Sequence, residues 1–190
     1  KSAEYKTVRK TMCMMLRQLY TRFSYVLESG KLDEKDMEYY KRVSDDMDDS
    51  DAADALYNLS DYLYRCHGKK VIILLDEYDT PMQEAYVGGY WQELVGFTRS
   101  LFNATFKSNP YLERAIMTGI TRVSKESIFS DLNHLKVVTT TSDEYATSFG
   151  FIESEVFAAL EEFNLGDKEE EVKKWYDGFI FGRHKDIYNP

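Results

Sequence analysis

Apolar residues recur at intervals of three and four along the N-terminal third of the chain, which is the spacing of one face of an α-helix. This pattern predicts three helices, over residues 3–29, 33–43 and 51–66. Gly30 follows the first and Gly68 follows the third, in the position where glycine commonly ends a helix. We therefore expect this third of the chain to form a layer of amphipathic helices.

The pattern changes at residues 70–75, where Lys-Val-Ile-Ile-Leu-Leu is a short and almost continuous apolar run. A run of this length predicts a fully buried strand of a parallel sheet. A second strand is predicted over residues 112–120, after a helix over residues 90–107. Two strands joined through a helix predict a right-handed βαβ unit with parallel strands.

Residues 80–89 lie between the first strand and that helix, and they contain Pro81 and the pair Gly88-Gly89. Proline and paired glycines are typical of turns and loops. The sequence therefore predicts a loop with a single helical turn here.

The C-terminal part of the chain mixes short helical and strand-like patterns. The predicted elements are a helix over 124–133, a strand over 136–141, helices over 152–163 and 168–175, and a two-stranded ribbon from 179–181 and 186–188. A change of composition near residues 141–150 suggests a boundary. We expect a core over residues 1–145 and the start of a small, lid-like helical subdomain over residues 146–190.

Composition narrows the classes of partner. The chain has 190 residues and a formal net charge of −9, which argues against direct nucleic-acid binding and against a charged membrane-surface footprint. No apolar run approaches the roughly 20 residues that a membrane-spanning helix needs. The two cysteines, Cys13 and Cys66, lack metal-type spacing, so we expect reduced thiols in a cytoplasmic protein.

Two acids follow the first predicted strand directly, at Asp76 and Glu77. Ligands of open α/β sheets bind beyond the carboxyl ends of the strands. A carboxylate there, together with phosphates and water, suits Mg²⁺, and a neighbouring glutamate can orient a water molecule for attack. This is the pattern of a Walker B element, with Asp76 as the metal ligand and Glu77 as the catalytic residue. The alternative is that both acids only cap the strand end or form salt bridges there.

Further polar residues surround these two positions. Asp79 could be a supporting acid or the cap of a following helical turn. Thr118, Thr121 and Arg122 follow the second strand, where two hydroxyls and a guanidinium could contact the phosphates of a nucleotide. The alternative for these three residues is a strand-to-loop turn with a surface arginine.

Three linked motifs resemble those of the bacterial AAA-ATPase-like family. They are VIILLDEYDTP at residues 71–81, MTGITRVSKESIFSDLN at residues 117–133, and WYDGF at residues 175–179 with IYNP at residues 187–190. The family is similar to STAND-type P-loop ATPases, and many members carry a C-terminal domain of the PD-(D/E)XK nuclease superfamily. The resemblance covers essentially the whole chain. It implies an α/β fold with a P-loop NTPase parallel sheet flanked by helices, followed by a small C-terminal helical subdomain.

The resemblance also implies ATP and Mg²⁺ as cofactors, with Asp76 on the metal, Glu77 activating water and Arg122 acting as a sensor. Members of the family place a glycine-containing phosphate loop upstream of these motifs, and no such loop occurs in this sequence. We therefore expect a partial P-loop sheet from a longer protein that couples ATP binding or hydrolysis to a conformational switch. By itself, this chain is expected to bind nucleotide weakly or not at all. The partners expected are a nucleotide and a nuclease-like domain of the same protein. The alternative is a catalytically inactive NTPase-fold scaffold for protein interaction.

Overall fold

The computed structural model describes residues 2–120, 128, 129, 132 and 134–188. The chain divides into two compact units, Lys1–His134 and Leu135–Pro190, which are described separately below. Within the described residues there are seven α-helices, a two-stranded parallel sheet and a three-stranded antiparallel sheet, which makes this a mixed α/β protein. The functional division into residues 1–145 and 146–190 stays a prediction.

Three helices open the first unit, as the apolar pattern predicts: α1 (Ser2–Arg22), α2 (Glu34–Arg42) and α3 (Asp49–His67). The first ends earlier than predicted, and a 3₁₀ turn at Ser24–Glu28 replaces its last residues. Helix α3 ends at Gly68, whose φ of 66° lies in the left-handed region that favours glycine.

Buried tyrosines join these three helices. The hydroxyl of Tyr20 donates to the carbonyl oxygen of Ala55 at 2.7 Å, and the hydroxyl of Tyr40 donates to the carbonyl oxygen of Tyr20. Burial raises the pKa of Tyr20 well above its ordinary value and raises the pKa of Tyr40 to about 12. Both hydroxyls therefore keep their protons and act as hydrogen-bond donors within the helical layer.

The predicted pair of parallel strands is confirmed. Strand β1 (Val71–Leu75) pairs with β2 (Leu112–Met117) in parallel, with Leu75 opposite Met117 at the carboxyl ends. The connection runs through α4 (Thr80–Gly88) and α5 (Trp91–Phe106), and α3 packs against both α5 and β1.

The loop predicted over residues 80–89 is wrong, because α4 occupies nearly all of it. Pro81 lies in the first turn of the helix, where its missing N–H has no intrahelical partner to lose. Gly89 follows the last helical residue with a φ of 72° and ends the helix. The proline and the glycine therefore mark the two ends of a helix rather than interrupting one.

The prediction that β1 is fully buried is also wrong. Ile72 and Leu74 expose 60% and 73% of their surface, whereas Val71, Ile73 and Leu75 on the other face are half-buried. Ile116 of β2 is 49% exposed. The parallel sheet is thus covered on one face and leaves an aliphatic face open, and it has only two strands within the described residues.

The second unit is built on a small antiparallel sheet of order β3-β5-β4. Its elements are β3 (Phe151–Ile152), α6 (Glu153–Glu162), a 3₁₀ turn at Gly166–Lys168, α7 (Glu169–Tyr176), β4 (Phe179–Phe181) and β5 (His184–Tyr188). The two predicted helices and the predicted ribbon are confirmed, and β3 is an additional strand that the sequence pattern did not predict.

The strand predicted over residues 136–141 is not formed. Its threonines lie in a turn, where the N–H of Ser142 donates to the carbonyl oxygen of Thr139 and the N–H of Thr139 donates to the hydroxyl of Ser142. Local hydrogen bonds of this kind compete with strand pairing. The helix predicted over 124–133 lies mostly outside the described residues. No helix in the described part of the chain is long and apolar enough to cross a membrane.

Candidate functional site

The candidate site lies at the carboxyl ends of β1 and β2, where two loops are joined by main-chain hydrogen bonds. The N–H of Thr118 donates to the carbonyl oxygen of Leu75 at 2.9 Å, and the N–H of Tyr78 donates to the carbonyl oxygen of Thr118 at 3.1 Å. The parallel pairing thus continues past the strands. It brings the acidic loop after β1 against the threonine that follows β2.

Asp76 is oriented by both loops. Its Oδ1 atom accepts a hydrogen bond from its neighbour, the N–H of Glu77, at 3.0 Å, and a second, short one from the hydroxyl of Thr118. Both hydrogen bonds use the same carboxylate oxygen, so they fix the plane of the carboxylate without engaging Oδ2. Asp76 itself is exposed to solvent.

Glu77 has an unusual backbone. Its φ of 51° lies in the left-handed region, which costs an L-residue with a Cβ about 1–2 kcal/mol. The N–H of Thr80 donates to the carbonyl oxygen of Glu77 at 3.1 Å, which closes a tight turn into α4. The side chain is exposed, so the turn presents the Glu77 carboxylate to solvent beside Asp76.

For Asp79 the helix-cap interpretation is wrong, and the supporting-acid interpretation stays a prediction. It occupies the residue before α4, but its side chain makes no capping hydrogen bond. The carboxylate is instead 1% exposed and accepts a hydrogen bond from the side-chain amide of Gln83 at 2.8 Å. It lies directly against Gly119, where a Cβ atom would stand 2.8 Å from the Asp79 carboxylate carbon.

Aromatic packing anchors the acidic loop to the rest of the unit. The Tyr78 ring meets the edge of the Phe129 ring at a centroid distance of 5.5 Å. Phe129 in turn stacks on Phe102 of α5 at 5.9 Å. The loop that carries the acids is therefore held by packing on one side and by main-chain hydrogen bonds on the other.

The structure thus brings together Asp76, Glu77 and Thr118, while Thr121 and Arg122 lie outside the described residues and remain predicted contacts to phosphate. Asp76 and Glu77 form no ion pair within the described part of the chain, so the salt-bridge alternative finds no support there. Asp76 does meet the strand-end alternative in part, since it accepts from the main-chain N–H that follows it.

The donor set suits a hard cation but does not enclose one. No group of three or more His, Cys, Asp or Glu side chains that could hold a metal occurs among the described residues. Mg²⁺ usually takes only one or two protein carboxylates and completes its shell with water and substrate phosphates. The Asp76 carboxylate and the Thr118 hydroxyl fit that kind of site.

Sequence reasoning found the acids but missed the close contact between Asp79 and Gly119. The sequence does place a glycine directly after Thr118 at the end of β2. A glycine in this position often marks a close approach of a ligand or of another segment to the main chain. Nothing in the local pattern indicates that the approaching group is a carboxylate from the neighbouring loop.

Comparison with known proteins adds a family. A model of the family described as "Predicted AAA-ATPase" matches residues 2–129. An uncharacterized protein in the vnfD 5' region of Azotobacter chroococcum mcd 1 is 29% identical over 124 residues, which are 65% of this chain and 24% of that protein. The match therefore spans about a quarter of the relative's length. No solved structure gives a significant match.

Proposed function

Because this chain belongs to the predicted AAA-ATPase family, we propose that it supplies the metal-binding and phosphate-sensing side of an ATP-hydrolysing site. The observation that carries the proposal is the convergence of Asp76 and Thr118. They come from two parallel strands and meet at the edge of the sheet where ligands of α/β proteins bind.

Each described residue has a role in this proposal. Asp76, whose Oδ2 atom takes neither of the two hydrogen bonds described above, would hold Mg²⁺ directly or through water. Thr118 holds the Asp76 carboxylate in the orientation that coordination needs. Glu77 orients the attacking water and accepts its proton, and the left-handed turn at Glu77 aims the carboxylate outward for this purpose. When bound, Mg²⁺ neutralises the negative charge that the phosphates carry.

The proposed site also needs groups that contact the phosphates of ATP. Thr121 and Arg122 follow Thr118 in the sequence, and we propose that they contact the phosphates. No glycine-rich phosphate loop occurs in the sequence, and we propose that another part of the natural protein provides it and completes a P-loop sheet. ATP binding or hydrolysis then drives a conformational switch, and a nuclease-like domain of the same protein is the proposed recipient.

A second candidate is an NTPase-fold scaffold without activity. The open aliphatic face formed by Ile72, Leu74 and Ile116 favours it. A large exposed apolar surface commonly marks an interaction site. The two candidates differ in whether Asp76 and Glu77 bind and process a nucleotide.

The deciding experiment measures Mg²⁺-dependent ATP binding and hydrolysis by the full-length natural protein. Glu77→Gln should keep ATP binding and lower the hydrolysis rate by about 100-fold or more, as loss of a general base does. Asp76→Asn should lower the rate and raise the Mg²⁺ concentration that is needed for half-maximal activity. Glu113→Gln is the matched control, because it neutralises an exposed acid of β2 outside the site. A wild-type protein that neither binds nor hydrolyses ATP would establish the scaffold instead.

A further inference from the structure

We propose that Asp79 is a positioning residue that locks the acidic loop of β1 onto the end of β2 through its contact with Gly119. The proposal rests on the proposed function, since what it positions is the Asp76–Thr118 pair. Asp79 holds the two halves of the site together and does not contact the nucleotide.

The Asp79 carboxylate is buried against the loop that follows β2. Taking a carboxylate out of water is costly unless its surroundings compensate, and Asp79 is 1% exposed. The side chain makes no capping hydrogen bond to the first turn of helix α4. The carboxylate points instead across to the neighbouring loop, where it packs on Gly119.

Gly119 is the complementary half of this contact. Its φ does not lie in the left-handed region, so its backbone conformation does not require glycine. What requires glycine is space: an added Cβ would overlap a carboxylate oxygen of Asp79 and would also stand 3.0 Å from the Tyr78 ring. Asp79 is also held by Gln83 at 2.8 Å, so it is not free to move aside.

The contact extends the pairing that forms the site. Tyr78 hydrogen-bonds to Thr118 through the main chain, and Asp79 and Gly119 are the next residue of each loop. Displacing Asp79 would move the main chain of Tyr78 away from Thr118. The Thr118 hydroxyl would then lose its position on the carboxylate of Asp76.

The first test measures amide hydrogen exchange in the full-length protein without nucleotide. Gly119→Ala should accelerate exchange at the N–H groups of Tyr78 and Thr118 by about tenfold, because local opening raises exchange only where hydrogen bonds loosen. The amide of Leu101 in α5 should keep its protection. Gly96→Ala is the matched control, since a Cβ at that glycine would meet nothing within 4 Å.

A double variant tests the contact itself. In Asp79→Ala/Gly119→Ala the carboxylate that would overlap the new Cβ is gone and only the looser contact with the Tyr78 ring remains, so the double variant should exchange about as fast as Asp79→Ala alone. Such non-additivity is the signature of two residues that act through one contact. Asp79→Asn keeps the size of the side chain and an oxygen that can accept from Gln83. The amides of Tyr78 and Thr118 should therefore exchange in Asp79→Asn at about the wild-type rate, unlike in Asp79→Ala.

The second test measures the Mg²⁺ concentration that gives half-maximal ATP hydrolysis. Asp79→Ala should raise it by about tenfold, the usual effect of losing a residue that orients a metal ligand. Asp79→Asn should leave it near the wild-type value. A role in general stability alone would lower the melting temperature and accelerate exchange at Leu101 without this shift.

Three results would overturn the inference. In the first, the amides of Tyr78 and Thr118 exchange equally fast in Gly119→Ala and Gly96→Ala. In the second, Gly119→Ala accelerates exchange just as much throughout α5. In the third, exchange at Tyr78 and Thr118 is faster but the half-maximal Mg²⁺ concentration does not change. If the wild-type protein shows no ATP hydrolysis but the local loosening and its non-additivity appear, the proposed function fails while the locking contact stands. The two failures are therefore distinguishable.

Discussion

Replacing Thr118 by valine isolates the hydrogen bond between the two strand ends. Valine keeps the size and the branched Cβ of threonine but cannot donate to Oδ1 of Asp76. The Asp76 carboxylate would keep only the hydrogen bond from the N–H of Glu77 at 3.0 Å. We expect the free carboxylate to sample several orientations, and the site to bind Mg²⁺ less tightly.

The size of the effect follows from the exposure of the pair. A hydrogen bond to a charged acceptor is worth about 1.5–3 kcal/mol when buried. Asp76 is exposed, so water replaces part of the lost hydrogen bond. We therefore expect the substitution to weaken Mg²⁺ binding by about 1 kcal/mol. This corresponds to about a fivefold rise in the Mg²⁺ concentration needed for half-maximal activity.

The assay titrates Mg²⁺ against ATP hydrolysis in the full-length protein, with thermal unfolding measured on the same samples. Thr118→Ser is the control, because serine retains the hydroxyl and should stay near the wild-type value. The reasoning is refuted if the valine and serine variants need the same Mg²⁺ concentration. A large drop in melting temperature for valine alone would also refute it, since the side chain would then serve folding rather than the acid.

Three further predictions concern strain, burial and protonation. Glu77→Gly should raise the free energy of unfolding by about 0.5 kcal/mol, because relief of the left-handed backbone outweighs the added freedom of the unfolded chain; a shifted urea midpoint would show it, and a clear loss of stability would count against strain at this residue. Leu74→Ala should change stability by less than about 0.5 kcal/mol, whereas Leu94→Ala in the fully buried part of α5 should cost about 2–5 kcal/mol; equal urea midpoints for the two variants would contradict the open face. The free energy of unfolding should fall above about pH 10, because Tyr20 and Tyr40 lose protons there only in the unfolded chain. Each of the two tyrosines should lower it by about 1.4 kcal/mol per pH unit. Unfolding curves from pH 8 to 11 test this, and Tyr40→Phe should make the dependence on pH less steep.

The elements predicted best from the sequence are those whose apolar pattern is complete within one segment. Strands β1 and β2 and their parallel pairing follow from an aliphatic run and a helical crossover that are both visible in the chain. The sequence pattern does not reveal helix α4, because proline and glycine occur both in loops and at the two ends of helices. In this helix Pro81 lies in the first turn and Gly89 follows the last residue. Position relative to the helix ends, rather than composition, decides between the two.

Two features depend on contacts between distant residues and could not be predicted locally. The apolar run of β1 predicts burial on both faces, but which face is covered depends on where α3 packs. The burial of Asp79 depends on the absence of a side chain at Gly119 in another loop. A pattern within one segment carries no information about either neighbour.

The separation between the two halves of the site affects when it can form. Asp76 and Thr118 are 42 residues apart, and the whole crossover of α4 and α5 lies between them. Closing a segment of that length costs chain entropy that only the finished packing of the crossover repays. The arrangement of Asp76 therefore depends on the packed crossover, and we expect that a short peptide containing only the acidic loop would not reproduce it.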